Sequence, residues 1–374
     1  MMKYIAKMML ALLASVTMVA QAYAWDFSAS GSASATFDMT TTTPKGGDAI
    51  TEQSFASESG SVSIKSSHTD GDASYTLTYK ADVDTDGDTL GSNIGLDQTL
   101  SLAASKKVGK WTASATASQS LMEDGQTAAI SGDDDAVITI TDGSMTHKLG
   151  DASHLSTAEK TSDTTASGTV DAEARVDGFN GYSLGMAVGP GSLTIAVDMS
   201  HGTATKLMGD LSTALGVDGQ HTGFGINFSG NVGADLSFTY ATGSAKAHAG
   251  GSETASANTM GLGVNVPMGT LGLAIDYEMS SSTNPAEVET TQTGFEVSTS
   301  ISEIADGTVV VNISSQAAKE GDGDAVTKAG TELGWKTPVG PTTLEVAYGT
   351  VATTNGTDDG LVVTDIEVEM KFSF

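Results

Sequence analysis

The groups in this chain able to do chemistry are mostly carboxylates. Its 374 residues carry 46 Asp and Glu against 17 Lys and Arg, a formal net charge of -29. There is one arginine, Arg175, and no cysteine, which excludes thiolate chemistry, disulfides and a ladder of guanidinium groups. The six histidines (His68, His147, His154, His201, His221 and His248) show no HExxH or other metal spacing. There is no glycine-rich phosphate loop and no Gly-x-Ser-x-Gly elbow, so nothing marks an enzyme. An acidic chain is also a poor partner for nucleic acid, whose phosphates need cations.

Two acidic groupings have suggestive spacing. Asp82, Asp84 and Asp86 stand at alternate positions before Gly87 and Asp88, the first half of a Ca²⁺ loop of the EF-hand type. The position that should supply a bidentate glutamate is Asn93, and no flanking helices are expected. Asp82, Asp84, Asp86 and Asp88 are thus candidate Ca²⁺ ligands, the only cofactor expected. Solvated acidic turns, and loops bridged weakly by divalent ions to lipopolysaccharide phosphates, are the competing readings. The second grouping, in 151–178, holds Asp151, Glu159, Asp163, Asp171, Glu173, Arg175 and Asp177. The clusters Asp133–Asp135 and Asp322/Asp324, and the lysines Lys106, Lys107 and Lys110, read as solvated turns.

The elements that must position these groups are strands. Phe374, Phe372, Met370, Val368, Ile366, Thr364 and Val362 share one parity, while Lys371, Glu369, Glu367 and Asp365 share the other. Side chains alternate across a strand, so one face is apolar and the other charged. The same alternation runs through Phe27–Phe37, Ala73–Tyr79, Ile94–Leu102, Trp111–Ala117, Leu193–Met199, Ala234–Tyr240, Met260–Val266, Leu271–Met279, Val309–Ile313 and Leu344–Tyr348. Turn-forming residues at 189–191, 230–233, 267–270 and 338–341 alternate with polar loops near 200–221, 242–257, 280–292, 316–328 and 351–360.

Short turn followed by long loop is the asymmetry of a transmembrane antiparallel β-barrel, with short periplasmic turns and longer external loops. The fold class expected is all-β, with 16–18 strands of ~10 residues each, the length a tilted strand needs to cross the bilayer. Residues 1–24 read as a secretory signal. Lys3 and Lys7 precede an apolar run from Met8 to Ala20, and Ala22-Tyr23-Ala24 offers a cleavage site. The barrel is then 25–374, Sec-exported to the bacterial outer membrane.

These features resemble the general porins of Gram-negative bacteria, in particular the acidic alphaproteobacterial type. The terminal Phe372-Ser373-Phe374 is similar to the aromatic ending read by the barrel assembly machinery, although Glu369 stands where that signal usually has Gly. The stretch Ala136–Asp151 is similar to the porin hairpin that opens the constriction loop, with six segments before it where general porins have five. The resemblance implies that 151–178 folds into the pore, its acids facing wall cations drawn from Lys65, Lys80, Lys148 and Lys336. A solvated acidic flap outside the barrel is the other reading. The resemblance also implies a homotrimer contacting outer-membrane lipid and lipopolysaccharide and forming a water-filled channel for small hydrophilic solutes, and the acidic charge makes a cation-preferring channel the expectation. A substrate-specific, sugar-type channel and a secreted or surface β-rich adhesive protein are the alternatives.

Overall fold

A computed structural model describes residues 25–85, 94–123, 126–127, 136–152, 154–166, 168, 179–198, 201–202, 219–247, 254–284 and 286–374. The expected signal segment lies outside them. The fold is an all-β antiparallel closed barrel of 18 strands. They are β1 (Asp26–Thr43), β2 (Ile50–Asp70), β3 (Ala73–Thr85), β4 (Ile94–Val108), β5 (Trp111–Glu123), β6 (Val137–Thr141), β7 (Met145–Ala152), β8 (Phe179–Val188) and β9 (Gly191–Asp198). There follow β10 (Gly219–Asn231), β11 (Asp235–Ala247), β12 (Thr254–Met268), β13 (Leu271–Thr283), β14 (Glu289–Ile304), β15 (Gly307–Glu320), β16 (Val326–Val339), β17 (Thr342–Thr354) and β18 (Val362–Ser373). Two short paired segments, Gln126–Thr127 and His201–Gly202, extend the ladders of β5 and β10.

Each strand pairs with its sequence neighbour, and β1 pairs with both β2 and β18, which closes the ladder. At the seam Gly31 and Phe374 exchange both backbone hydrogen bonds at 3.0 Å. Closure matters because an open edge leaves N–H and C=O groups without partners, and lipid supplies none.

The connections sort by length without exception. Each one after an even-numbered strand, from β2/β3 to β16/β17, is short; each one after an odd-numbered strand is longer. Tight turns need left-handed backbone, and Gly269 (φ 70°) supplies it between β12 and β13. Between β14 and β15 the non-glycine pair Ala305 (φ 50°) and Asp306 (φ 61°) holds that conformation.

Two compact units are distinguishable. One comprises Glu58–Asp142 with the chain up to Ala33 and from Ser373. Its polar face carries hydroxyl pairs across the strands, Ser32–Ser61 (2.9 Å), Ser74–Ser105 (2.7 Å) and Ser101–Ser118 (3.0 Å). Its other face exposes Tyr75, Leu77, Leu102, Ile138 and Ile140. The second comprises Ser34–Ser57 and Gly143–Phe372. There the inversion is complete. Along β13, Asp276 and Glu278 are 2% and 1% exposed while Ile275 and Tyr277 are 43% and 39% exposed. Along β16, Glu332 is 1% exposed beside Leu333 at 51%. Water-soluble sheets bury the apolar face; this one buries the charged face and exposes the aliphatic and aromatic face.

Two expectations change. Seven strands precede 151–178, because Ile50–Asp70 is also a strand. Its Ser- and Glu-rich sequence dilutes the apolar alternation that marks its neighbours. The ladders also run further into the polar segments than the loops read from sequence, β13 reaching Thr283 and β15 reaching Glu320. Cross-strand pairs such as Asn258–Ser281 (2.8 Å) and Thr222–Ser244 (3.2 Å) continue the sheet beyond the apolar belt.

Candidate functional site

The described residues between β7 and β8, 154–166 and 168, have no regular structure of their own. Their backbone polar groups therefore need partners elsewhere, and the buried polar face of β8 to β17 provides them. His154 is 5% exposed at the root. Its Nε2 lies 2.9 Å from the Gly150 carbonyl and its Nδ1 lies 2.8 Å from Ser183 Oγ. A carbonyl only accepts, which assigns the proton to Nε2 and makes the Ser183 hydroxyl the donor to Nδ1. Leu155 then packs with Ala196, Ala241 and Ala257. The Ser156 carbonyl accepts from Asn227 Nδ2 (3.2 Å) and Thr239 Oγ1 (2.6 Å).

Beyond Ser156 the wall partners become carboxylates. Asp276 accepts from Lys160 N (2.8 Å), Thr161 N (2.7 Å) and Thr161 Oγ1 (2.7 Å). Glu332 accepts from Thr164 N and Oγ1, both at 3.0 Å, and from Gly168 N at 2.9 Å. Glu345 accepts from Thr165 N (3.1 Å) and, on its other oxygen, from Lys336 Nζ (3.0 Å). Asn312 Nδ2 donates both to Glu296 and to loop residue Asp163 (3.0 Å). Ionised carboxylates are acceptor-only and bond strongly to N–H donors.

Strand register explains the arrangement. Asp276 stands directly opposite Glu296, and Asn312 directly opposite Glu332. Like charges facing each other across a ladder repel. Here loop N–H groups and the Asn312 amide are aimed at those oxygens, so the loop's dipoles offset part of the repulsion. The acidic face continues to Asp365, 3% exposed, which lies 3.5 Å from Thr40 Oγ1 of β1.

The sequence-predicted site residues are distributed as follows. Glu159 and Asp163 lie on the described part of the loop, and both are exposed. Asp151 is paired in register with Asn180 at the end of β7. Asp171, Glu173, Arg175 and Asp177 lie outside the described residues. Lys65 and Lys80 share the polar face of β2 and β3, and Lys80 forms an ion pair with Asp82 (2.8 Å). Lys148 stands opposite Ser183. Of the candidate Ca²⁺ ligands, Asp82 faces Lys80, Asp84 is described in its backbone pairing alone, and Asp86 and Asp88 lie outside the described residues. Among the described residues no group of three or more His, Asp or Glu is arranged to hold a metal. The loop's actual anchors, Asp276, Glu296, Asn312, Glu332 and Glu345, were not singled out in sequence. Their signal is an acid or amide on the polar parity of an otherwise apolar-alternating strand, as in Leu273-Ala274-Ile275-Asp276-Tyr277.

No family model matches the chain, and no curated protein sequence matches it. Solved structures do. A BenF-like porin from Pseudomonas fluorescens Pf-5 superposes with a TM-score of 0.57 at 10% identity, covering 93% of this chain and 98% of that one. An anion-selective porin from Comamonas acidovorans gives 0.53 at 11% identity, covering 94% and 100%. OmpT of Vibrio cholerae in its trimer form gives 0.52 at 8% identity, covering 94% and 99%. The fold is that of the outer-membrane porins. At these identities the porin likeness concerns architecture. The side chains of the loop and its wall have to be read from this chain alone.

Proposed function

We propose that the protein is a non-catalytic outer-membrane porin, a water-filled, cation-preferring diffusion channel for small hydrophilic solutes. The observation that carries this reading is the inverted polarity of β13 to β18. An exposed apolar belt suits lipid, and a face holding Asp276, Glu278, Glu296, Glu332, Glu345 and Asp365 suits a hydrated lumen. Fixed negative charge within low-dielectric walls concentrates cations and excludes anions. In this reading the short turns face the periplasm, the longer connections face outward, and segment 151–178 lies within the lumen as its constriction. A homotrimer is part of the proposal, supported by the trimeric form of a structural neighbour.

The 18-strand count and the likeness to a BenF-like porin favour, as a second reading, a channel with a preferred solute. Against it, the large aromatics Tyr75, Phe224, Tyr277, Phe295 and Tyr348 are exposed on the apolar face, away from the polar one. Purified protein in a planar bilayer under a salt gradient tests the proposal. The expected result is ohmic conductance with a reversal potential of cation-selective sign. The anion-selective sign overturns the ion preference, and absence of conductance overturns the channel.

A further inference from the structure

The loop does not merely touch the wall; the wall lacks side chains where the loop crosses it. Gly225 on β10, Gly263 on β12, and Gly330 and Gly334 on β16 all belong to the buried face. A Cβ placed on Gly263 would fall well inside 3.0 Å of the Ala158 carbonyl oxygen, and 2.8 Å from Lys160 Cγ. One on Gly225 would overlap the Leu155 side chain, and one on Gly330 the Gly168 carbonyl. One on Gly334 would lie 2.6 Å from Thr164 Cγ2. The fit is mutual, because a Cβ on loop residue Gly168 would strike the Gly349 backbone of β17 and the Glu332 side chain, the latter at 2.5 Å. Ala158 and Ala166, small residues of the loop, are 2% and 3% exposed against the same wall. The glycines are thus spaced along the path of the chain from Leu155 to Gly168, and Asp276 and Glu332 lie beside that path.

We propose that Gly225, Gly263, Gly330 and Gly334 are positioning residues of the channel. They form a side-chain-free track that lets 155–166 and Gly168 lie flat on the wall, and the depth of that track sets how far the loop intrudes into the lumen. This rests on the channel reading above. Close-packed backbone has no slack for an added methyl, so any Cβ on the track moves the loop toward the axis. The carboxylate anchors hold the loop along the wall, while the glycines fix its distance from the wall.

The test uses the full protein refolded in detergent, with heat-modifiable migration on gels confirming that each variant is folded. Gly263→Ala and Gly334→Ala are expected to lower single-channel conductance by roughly a quarter or more, because pore conductance follows the open cross-section. Gly185→Ala is the control: it sits on the same face of β8, where the nearest atom to an added Cβ is 3.6 Å away, and its conductance stays at the wild-type value. Unchanged or raised conductance in folded Gly263→Ala overturns the proposal.

A second variant removes dependence on that one. The chain has no cysteine, so Thr164→Cys with Gly334→Cys introduces a single pair; the added Cβ would lie 3.0 Å from Thr164 Cβ, and the small outward shift it forces brings the two to the ~3.5–4.5 Å a disulfide spans. Oxidation should form the cross-link on the folded protein without changing conductance relative to the reduced form. Failure to cross-link, or a large conductance change on oxidation, overturns the proposal. A cross-link in a protein that passes no current leaves the loop on its track and refutes the channel instead.

Discussion

Replacing Ile275 by arginine separates a membrane barrel from a sheet in water. On β13 the outward residues Leu271, Leu273, Ile275, Tyr277 and Met279 form one apolar row. The row spans eight residue steps, ~27 Å along the strand at ~3.4 Å per residue. With a strand tilt of ~40°, this is ~21 Å along the membrane normal. Ile275 is at its centre, ~10 Å from either edge. Arginine there should cost about 2–4 kcal/mol, while Leu271→Arg at the rim should cost about 0–1 kcal/mol. The difference of ~2–3 kcal/mol is a factor of about 30 to 150 in the folding equilibrium. Urea-titrated folding into lipid vesicles, read by heat-modifiable gel migration, measures both variants. In water the contrast disappears: a 43%-exposed isoleucine accepts arginine within about 0.5 kcal/mol. Equal cost at positions 275 and 271 would refute the membrane assignment.

Two further outcomes follow from the loop contacts. Asp276→Ala removes the acceptor of three loop donors. After water replaces part of those bonds the loop should loosen by roughly 2–4 kcal/mol, seen as faster protease cleavage within 157–168; cleavage at the wild-type rate would count against the anchor. The pair Lys45–Asp359 (2.6 Å) ties the β1/β2 connection to the β17/β18 connection. The hydrogen bond from Lys45, with one from the Asn355 backbone, holds the Asp359 carboxyl below its ordinary 3.8. A depressed carboxylate contributes above its unfolded value and loses that contribution as pH falls from about 3.8 through the folded value. Lys45→Met should move the Asp359 titration, followed by NMR, back up toward the ordinary range. Both groups are at the surface, so high salt should do much the same. A titration unchanged by the substitution would remove the clasp.

Architecture was legible because lipid demands a period-two pattern with one uniformly apolar face. Leu271–Met279 shows it without interruption, and Val362–Phe374 with Thr364 as the one polar member of the apolar row. Ile50–Asp70 escaped because polar residues, Ser above all, fill most of its positions on both faces, and backbone pairing with β1 and β3, not apolar contrast, holds it as a strand. What holds the segment after His154 was not legible. At Lys160, Thr161, Thr164 and Gly168 the wall offers carboxylates, because what the loop presents there is backbone N–H. Every residue has that donor, except proline, so no side-chain pattern announces it. The glycine track is equally silent, since glycines also mark turns and bends.

The seam between Gly31 and Phe374 has a consequence for biogenesis. It joins the first strand of the ladder to the last, so the contact that removes the final free edge is also the one most distant in sequence. Until it forms, the molecule is an open ribbon with two unpaired borders, each able to pair with the border of another such ribbon. A chain of this topology is therefore most open to pairing with its own copies just before the ladder closes.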